Sequence, residues 1–201
     1  MVSICESAFS RNKLVEINLP NSLQKIEKHA FYNNNLKNIT LPFELEYIGP
    51  QAFDWSQMLN VKVQNNSKFT VRNKMLMTSD ETQVITAIGT QKEVVIPDNV
   101  ISISEFAFKK FQVKSLQLPT NLKSIGDYAF ADNNLTQIEF NEGLKFIGRE
   151  AFKNNELESV IIPKSVEKID KYAFKSQSFK LKRVIILGDE KRFNSEWVSI
   201  G

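Results

Sequence analysis

Residues 118–140 read LPTNLKSIGDYAFADNNLTQIEF, and residues 19–42 read LPNSLQKIEKHAFYNNNLKNITLP. Laid over one another, the two stretches agree at Leu-Pro, at the Leu and Ile that follow, at Ala-Phe, at the Asn three residues past the Phe, and at the next Leu-x-x-Ile. The Ala-Phe pair marks the same phase along the chain. It occurs at Ala8-Phe9, Ala30-Phe31, Ala52-Phe53, Ala107-Phe108, Ala129-Phe130, Ala151-Phe152 and Ala173-Phe174, at spacings of 22, 22, 55, 22, 22 and 22. Self-similarity at this period is the mark of a solenoid, in which no unit can bury its apolar face alone and stability comes from the stack.

The whole unit reads L-x-x-I-x-L-P-x-x-L-x-x-I-G-x-x-A-F-x-x-N-x. In I-x-L the apolar period is two, which is a strand with one buried face. With no hairpin turn beside it, such a strand must pair with its copy in the next coil, giving a parallel ladder. Pro20, Pro42, Pro97, Pro119 and Pro163 end the strands because proline donates nothing to a ladder. Gly49, Gly126 and Gly148 recur at a corner where Glu27, Ser104 and Asp170 stand in other copies, so positive φ is compatible with the slot without being required. The residues around Ala-Phe are too few for a full helix and predict one helical or 3₁₀ turn, with the Phe in the core. Asn12, Asn34, Asn133 and Asn155 predict buried amides that bond backbone groups of their own and neighbouring coils.

Between Val63 and Val94 the Ala-Phe unit is missing. Phe69-Thr70-Val71, Met75-Leu76-Met77, the polar Ser79-Asp80-Glu81-Thr82 and Val84-Ile85 predict two short strands around a polar turn, a β-hairpin within an irregular coil over residues 64–93. The flanks stay in pattern and no Pro/Gly/Ser linker appears, so residues 1–201 are expected to form one domain. Residues 188–201, with Phe193 and Trp197, are the expected C-terminal cap. Nothing comparable precedes Ile4, which leads us to expect a piece of a longer protein or a chain whose native cap has been removed.

Composition narrows the chemistry. One Cys and one His among 201 residues exclude a disulfide scaffold, a thiolate metal site and a multi-histidine centre. No cofactor motif appears among the seven Gly. With 26 basic against 23 acidic residues, the charge is too even to point to nucleic acid or an anionic membrane. No apolar run approaches the roughly 18 residues of a membrane helix, and MVSICESAF has neither the basic nor the apolar region of a signal peptide.

The two stretches quoted above resemble the BspA-type leucine-rich repeats of bacterial surface proteins, and the hairpin-bearing coil resembles a variant common in that family. The resemblance implies an α/β solenoid: a right-handed leucine-rich-repeat superhelix with a parallel β-ladder, coils of about 22 residues, short helical or 3₁₀ turns and one hairpin insertion. It also implies a non-enzymatic interaction or adhesion module, extracellular or at the cell surface. Its partner would be a protein or glycan of a host or neighbouring cell.

The outward residues of a solenoid's ladder form a continuous surface, the natural place for such a partner. Here they are Glu16 and Asn18, Asn38 and Thr40, Asn60 and Lys62, Ser115 and Gln117, Gln137 and Glu139, and Ser159 and Ile161, with Arg183 and Ile185 last. Amides and hydroxyls on this face suit polar contact with protein or glycan. Nucleic acid and membrane insertion are not expected, and the chain is expected to be a monomer. His29, in a variable slot before Ala30, reads as a surface residue, Cys5 as a chance occupant of the glycine slot, and Trp55 as packing. Two other classes stay open. A coil near this length also suits polysaccharide-acting enzymes on parallel β-helices, which should stack Asp, Arg or Lys at neighbouring coils. A passive spacer would need no binding face.

Overall fold

A computed structural model describes residues 2–178 and 180–188. The chain divides into two compact units, Met1–Glu81 with Thr86–Thr90, and Thr82–Ile85 with Gln91–Gly201. Each is a stack of coils joined by parallel strand pairs.

In the first unit the strand Asn38–Leu41 pairs in parallel with Asn60–Val63, residue 38 opposite 60 and 41 opposite 63. Its burial alternates strictly, Ile39 and Leu41 inward and Asn38 and Thr40 outward, as the I-x-L period predicts. A second, shorter ladder closes each coil: Ser3–Ile4, Lys25–Ile26 and Tyr47–Ile48 pair in register, aligning Ile4, Ile26 and Ile48. The second unit repeats both arrangements. Glu93–Val95 pairs with Ser115–Gln117, and Ser159–Ile162 with Arg183–Ile186. The short ladder runs Ser102–Ile103, Ser124–Ile125, Phe146–Ile147 and Lys168–Ile169.

The expected helical content is corrected by the structure. Among the described residues the one helical element is a 3₁₀ turn at Trp55–Gln57, and the Ala-Phe corners are turns. Each is a tight reversal instead of a helix because the residue before Ala adopts positive φ, joined in every copy but Ala52-Phe53 by the second residue past the Phe. The residue before Ala does so in every copy: Ser7, His29, Gln51, Phe106, Tyr128, Glu150 and Tyr172, all between 50° and 59°. A left-handed residue ends any right-handed helical turn. The corner glycines have another role. Gly126 lacks positive φ, but a Cβ there would stand 2.6 Å from the backbone nitrogen of Glu105 in the preceding coil, so glycine permits close approach of two chains.

Inside the corners the Phe rings stack. Phe9, Phe31 and Phe53 lie 5.3 and 5.1 Å apart in the first unit, nearly parallel at 8° and 7°. Phe108, Phe130, Phe152 and Phe174 follow at 4.9, 5.4 and 5.4 Å in the second. Burying one such ring contributes roughly 1.5–3 kcal/mol and each aromatic contact about 0.5–1.5 more.

Beside the rings run the amides. Asn133 Nδ2 donates to the carbonyls of Phe108 (2.7 Å) and Phe130 (3.0 Å), and its Oδ1 accepts from Val113 N–H (2.9 Å). Asn34 and Asn155 make the same three bonds with their own neighbours. Asn12, in the first coil, is exposed and bonds only Phe9 and Ser10. Gln177 holds the slot in the last copy and reaches Phe152, Phe174 and Leu157 in the same way.

The irregular coil does contain a hairpin. Phe69–Arg72 pairs antiparallel with Met75–Thr78 across Asn73-Lys74, both at positive φ (50° and 55°), the signature of a type I′ turn. A third strand, Gln83–Ala87, follows the polar Ser79–Thr82 stretch. The expected cap at 188–201 lies outside the described residues apart from Gly188.

Candidate functional site

Each outward strand residue is held by its inward neighbour. Ile39 and Leu41, Val160 and Ile162, and Val94 and Ile96 are buried, and the alternation turns the intervening side chains to solvent. All twelve residues from Glu16 to Ile161 singled out on this face are exposed. In the first unit Asn38 and Asn60 are opposed, and Asn60 Nδ2 donates to Asn38 Oδ1 at 3.0 Å; Thr40 faces Lys62. Glu16 and Asn18 lie in a segment without strand pairing. In the second unit Ser115 and Gln117 oppose Glu93 and Val95, while Ser159 and Ile161 oppose Arg183 and Ile185. Glu93 and Val95 were missing from the sequence-based set, although Val94-Val95-Ile96-Pro97 carries the I-x-L-P signal that would have placed them. Val95 and Ile161 are 59% and 49% exposed, so the outward residues of the second unit are partly apolar.

Gln137 and Glu139 lie in a stretch that belongs to no strand. Together with Ser115, Leu116, Gln117, Leu118 and Ile138 they line a cleft of about 340 Å³.

The corner side chains make a different surface. Phe106 stacks on Tyr128 at 4.9 Å and 3°, and Lys109 Nζ sits 5.2 and 5.0 Å from their ring centroids. Burial lowers the Lys109 ammonium below its ordinary value, only partly opposed by Asp132. Tyr128 Oη donates to Glu150 at 2.9 Å, and Lys153 pairs with the same carboxylate at 2.5 Å. Burial pushes the Glu150 carboxyl up, but the hydrogen bonds from Lys153 and Tyr128 and the nearby cations outweigh it and hold it below the usual range. This network joins successive coils and satisfies its own charges, so it reads as structural.

His29 is half-buried, with Nε2 3.2 Å from Gln51 Oε1 in the same slot of the next coil. Cys5 is exposed. Trp55 is buried and meets Phe53 edge-on at 5.0 Å, the packing role expected of it; Trp197 lies outside the described residues. Among the described residues no cluster of three or more His, Cys, Asp or Glu could hold a metal ion. No described helix is long and apolar enough to cross a membrane.

Similarity to known proteins follows the repeat. The model of the BspA type leucine rich repeat region matches residues 1–90 and 86–197, in six copies. Among solved structures, a leucine rich cell surface protein from Faecalibacterium prausnitzii superposes with a TM-score of 0.79 at 21% identity, covering 100% of this chain and 61% of its own. The pneumococcal vaccine antigen PcpA gives 0.77 at 25% identity, with 100% and 58% covered. A leucine-rich repeat protein from Eubacterium ventriosum gives 0.73 at 18% identity, with 90% and 56% covered. The chain thus spans about three fifths of the length of the first two, at 61% and 58%. No curated protein shows significant similarity to it.

Proposed function

Since the chain belongs to the BspA-type leucine-rich repeat family, we propose that it is a non-enzymatic interaction module of a bacterial cell-surface or exported protein, which meets a macromolecular partner on its polar strand face. The observation that carries the reading is a division of labour. The inward residues and the amide and Phe ladders supply the cohesion of each unit, while the twelve outward residues are exposed in both. A face that folding does not need is free to serve a ligand. The partner is a protein or glycan of a host or neighbouring cell, and the location is extracellular or at the surface. The description of the Faecalibacterium relative as a cell surface protein and of PcpA as a vaccine antigen support that location.

Enzymatic action on polysaccharide is disfavoured by the content of the face. Acid–base hydrolysis needs carboxylates paired across the scissile bond, and neighbouring outward positions here alternate amide, hydroxyl and single charges.

The test is an array of matrix proteins and glycans probed with the chain. Glu16→Arg with Lys62→Glu in the first unit, and separately Glu139→Lys in the second, should weaken capture at least tenfold by one unit or the other at unchanged melting temperature. Full binding by both variants would remove the strand face as the binding surface, and no capture at all would favour a spacer.

A further inference from the structure

The ladder of the second unit lapses along Gln137–Phe140, which among the described residues pairs as a strand with neither Ser115–Gln117 before it nor Ser159–Ile162 after it. Its coils follow a 22-residue register, so Ser115–Leu118 should pair with Gln137–Phe140. Among the described residues no hydrogen bond joins them. The neighbouring coil shows what is missing: Ser115 N–H donates to Lys92 C=O at 3.0 Å and Ile96 N–H to Gln117 C=O at 3.0 Å. The counterparts, Gln137 N–H to Lys114 C=O and Leu118 N–H to Glu139 C=O, are not made. The main-chain groups of Leu116, Leu118, Gln137 and Glu139 that face the gap thus lack ladder partners, and the gap is the cleft of about 340 Å³ described above.

The local sequence departs from the repeat beside the opening. Phe140 stands where the repeat has Leu or Ile, as at Leu41, Leu118 and Ile162, and its ring meets Phe152 edge-on at 5.6 Å and Phe174 at 6.3 Å. Asn141 replaces the usual proline, and its Oδ1 is buried without a partner.

Both ends of the gap are closed. Asn134 N–H donates to Val113 C=O at 2.9 Å on one side, and on the other Asn141 Nδ2 donates to Thr120 C=O at 2.7 Å. A peptide strand entering in the plane of the ladder needs about 4.8 Å on each of its sides, which coils fastened at hydrogen-bond distance seven residues apart do not provide. A hydroxyl needs far less. It accepts from an N–H on one coil and donates to a C=O on the other. Gln117, Gln137 and Ser115 at the mouth extend the same mixture of donors and acceptors, and the Glu139 carboxylate disfavours an anionic ligand. The volume lies at the small end of the range for small-molecule sites, roughly 300–1,000 Å³.

We propose that this break in the ladder is a binding cleft for a neutral sugar, whose hydroxyls complete the main-chain hydrogen bonds that residues 115–118 and 137–139 do not give one another. The proposal rests on the reading of the strand face as an interaction surface and names its ligand class.

The test is a titration of the full chain with maltotriose, mannotriose and triacetylchitotriose, followed by amide-resolved NMR. At least one sugar should give saturable shifts centred on the amides of Leu116, Leu118, Gln137 and Glu139, and slow their hydrogen exchange. Gln137→Ala with Glu139→Ala, both exposed, should weaken it at least tenfold. No saturable shift with any of the three sugars overturns the proposal. So does full affinity in the double variant, or occupation of the same amides by a strand-forming peptide or an oligouronate in preference to the neutral sugars. If the sugars fail while array binding still depends on Glu16 and Lys62, the cleft falls and the surface reading stands.

Discussion

Asn155 is the most informative single side chain to remove. It is 1% exposed and holds three main-chain groups: Nδ2 donates to Phe130 C=O and Phe152 C=O, each at 2.9 Å, and Oδ1 accepts from Leu135 N–H at 3.0 Å. Asn155→Ala strands all three in a dry corner. An unmatched buried group costs roughly 1–3 kcal/mol, and small shifts or an entering water recover part of it, so the expected loss is about 3–5 kcal/mol. That is a large share of the roughly 5–15 kcal/mol that holds an ordinary domain together. Asn12→Ala is the internal control. Its side chain is exposed and bonds only its own coil, at 3.1 and 3.3 Å, so its loss should stay below about 1 kcal/mol. Urea unfolding followed by circular dichroism measures both, with comparable slopes required before midpoints are compared. Asn155→Asp sharpens the comparison: it keeps the acceptor for Leu135 but turns the donor into an acceptor facing two carbonyls, and should be no more stable than the alanine variant. A loss below 1 kcal/mol for Asn155→Ala, or equal losses at positions 155 and 12, would refute the claim that cross-coil amides hold the corners.

Three further outcomes follow from the same geometry. Phe130 is fully buried between rings 4.9 and 5.4 Å away, so Phe130→Ala should cost about 3–5 kcal/mol, whereas Phe9→Ala, at a ring 44% exposed and stacked on one side, should cost less than half of that in the same urea assay. Gly126→Ala places a Cβ against Glu105 backbone and should lower stability by about 1–3 kcal/mol despite the absence of positive φ; a neutral or stabilising result would show that the coils yield. Burial is the largest influence on Asp54 and raises its carboxyl above the ordinary 3.8, against donation from Asn34 and Asn33 N–H and the charge of Lys37. The folded state therefore holds this proton more tightly than the unfolded chain, and stability falls as pH climbs from the ordinary value through the raised one. Asp54→Asn keeps an oxygen for Asn34 N–H and removes that cost, so the variant should melt above the parent at pH 7, with the difference shrinking toward pH 3. A difference that grows on acidification would refute the assignment.

Much of each unit was legible because its determinants are local and recur. The I-x-L alternation fixed which side of a strand is buried, and Asn34, Asn133 and Asn155, three residues past their Phe, announced the amide ladder, whereas Asn12 in the same position is exposed and joins no neighbouring coil. Gln177 went unread because a longer side chain reaches the same carbonyls, an equivalence of function that residue identity hides. The helical turn expected at Ala-Phe failed for a conformational reason: the slot before Ala accepts Ser, His, Gln, Phe, Tyr or Glu at positive φ, and nothing in those residue types announces it. The short ladders, through Ile26 and Ile48 in the first unit and Ile125 and Ile147 in the second, take only two residues from each of these coils, too brief for periodicity to register. At the candidate surface, exposure was predictable from alternation. The opening at Gln137–Glu139 was not, because Gln137-Ile138-Glu139 alternates polar and apolar residues just as the paired strands do.

The strict register carries a consequence for how such a chain can change its length. Within each unit the parallel strand pairs set most residues opposite one 22 positions on, as Ser3 opposite Lys25, Asn38 opposite Asn60 and Ser102 opposite Ser124. Insertion of a single codon into a strand would turn its buried side chains outward and misalign every coil that follows within the unit. Duplication or loss of a whole coil would leave each remaining neighbour facing an equivalent one. Two pairings depart from that register: Gln83 stands opposite Ser102 at a separation of 19, beside the irregular coil, and Ser159 opposite Arg183 at 24, two residues beyond the rule. Descendants of this gene should therefore gain and lose length in whole-repeat steps, with small insertions and deletions confined to the corners between a Phe and the next strand.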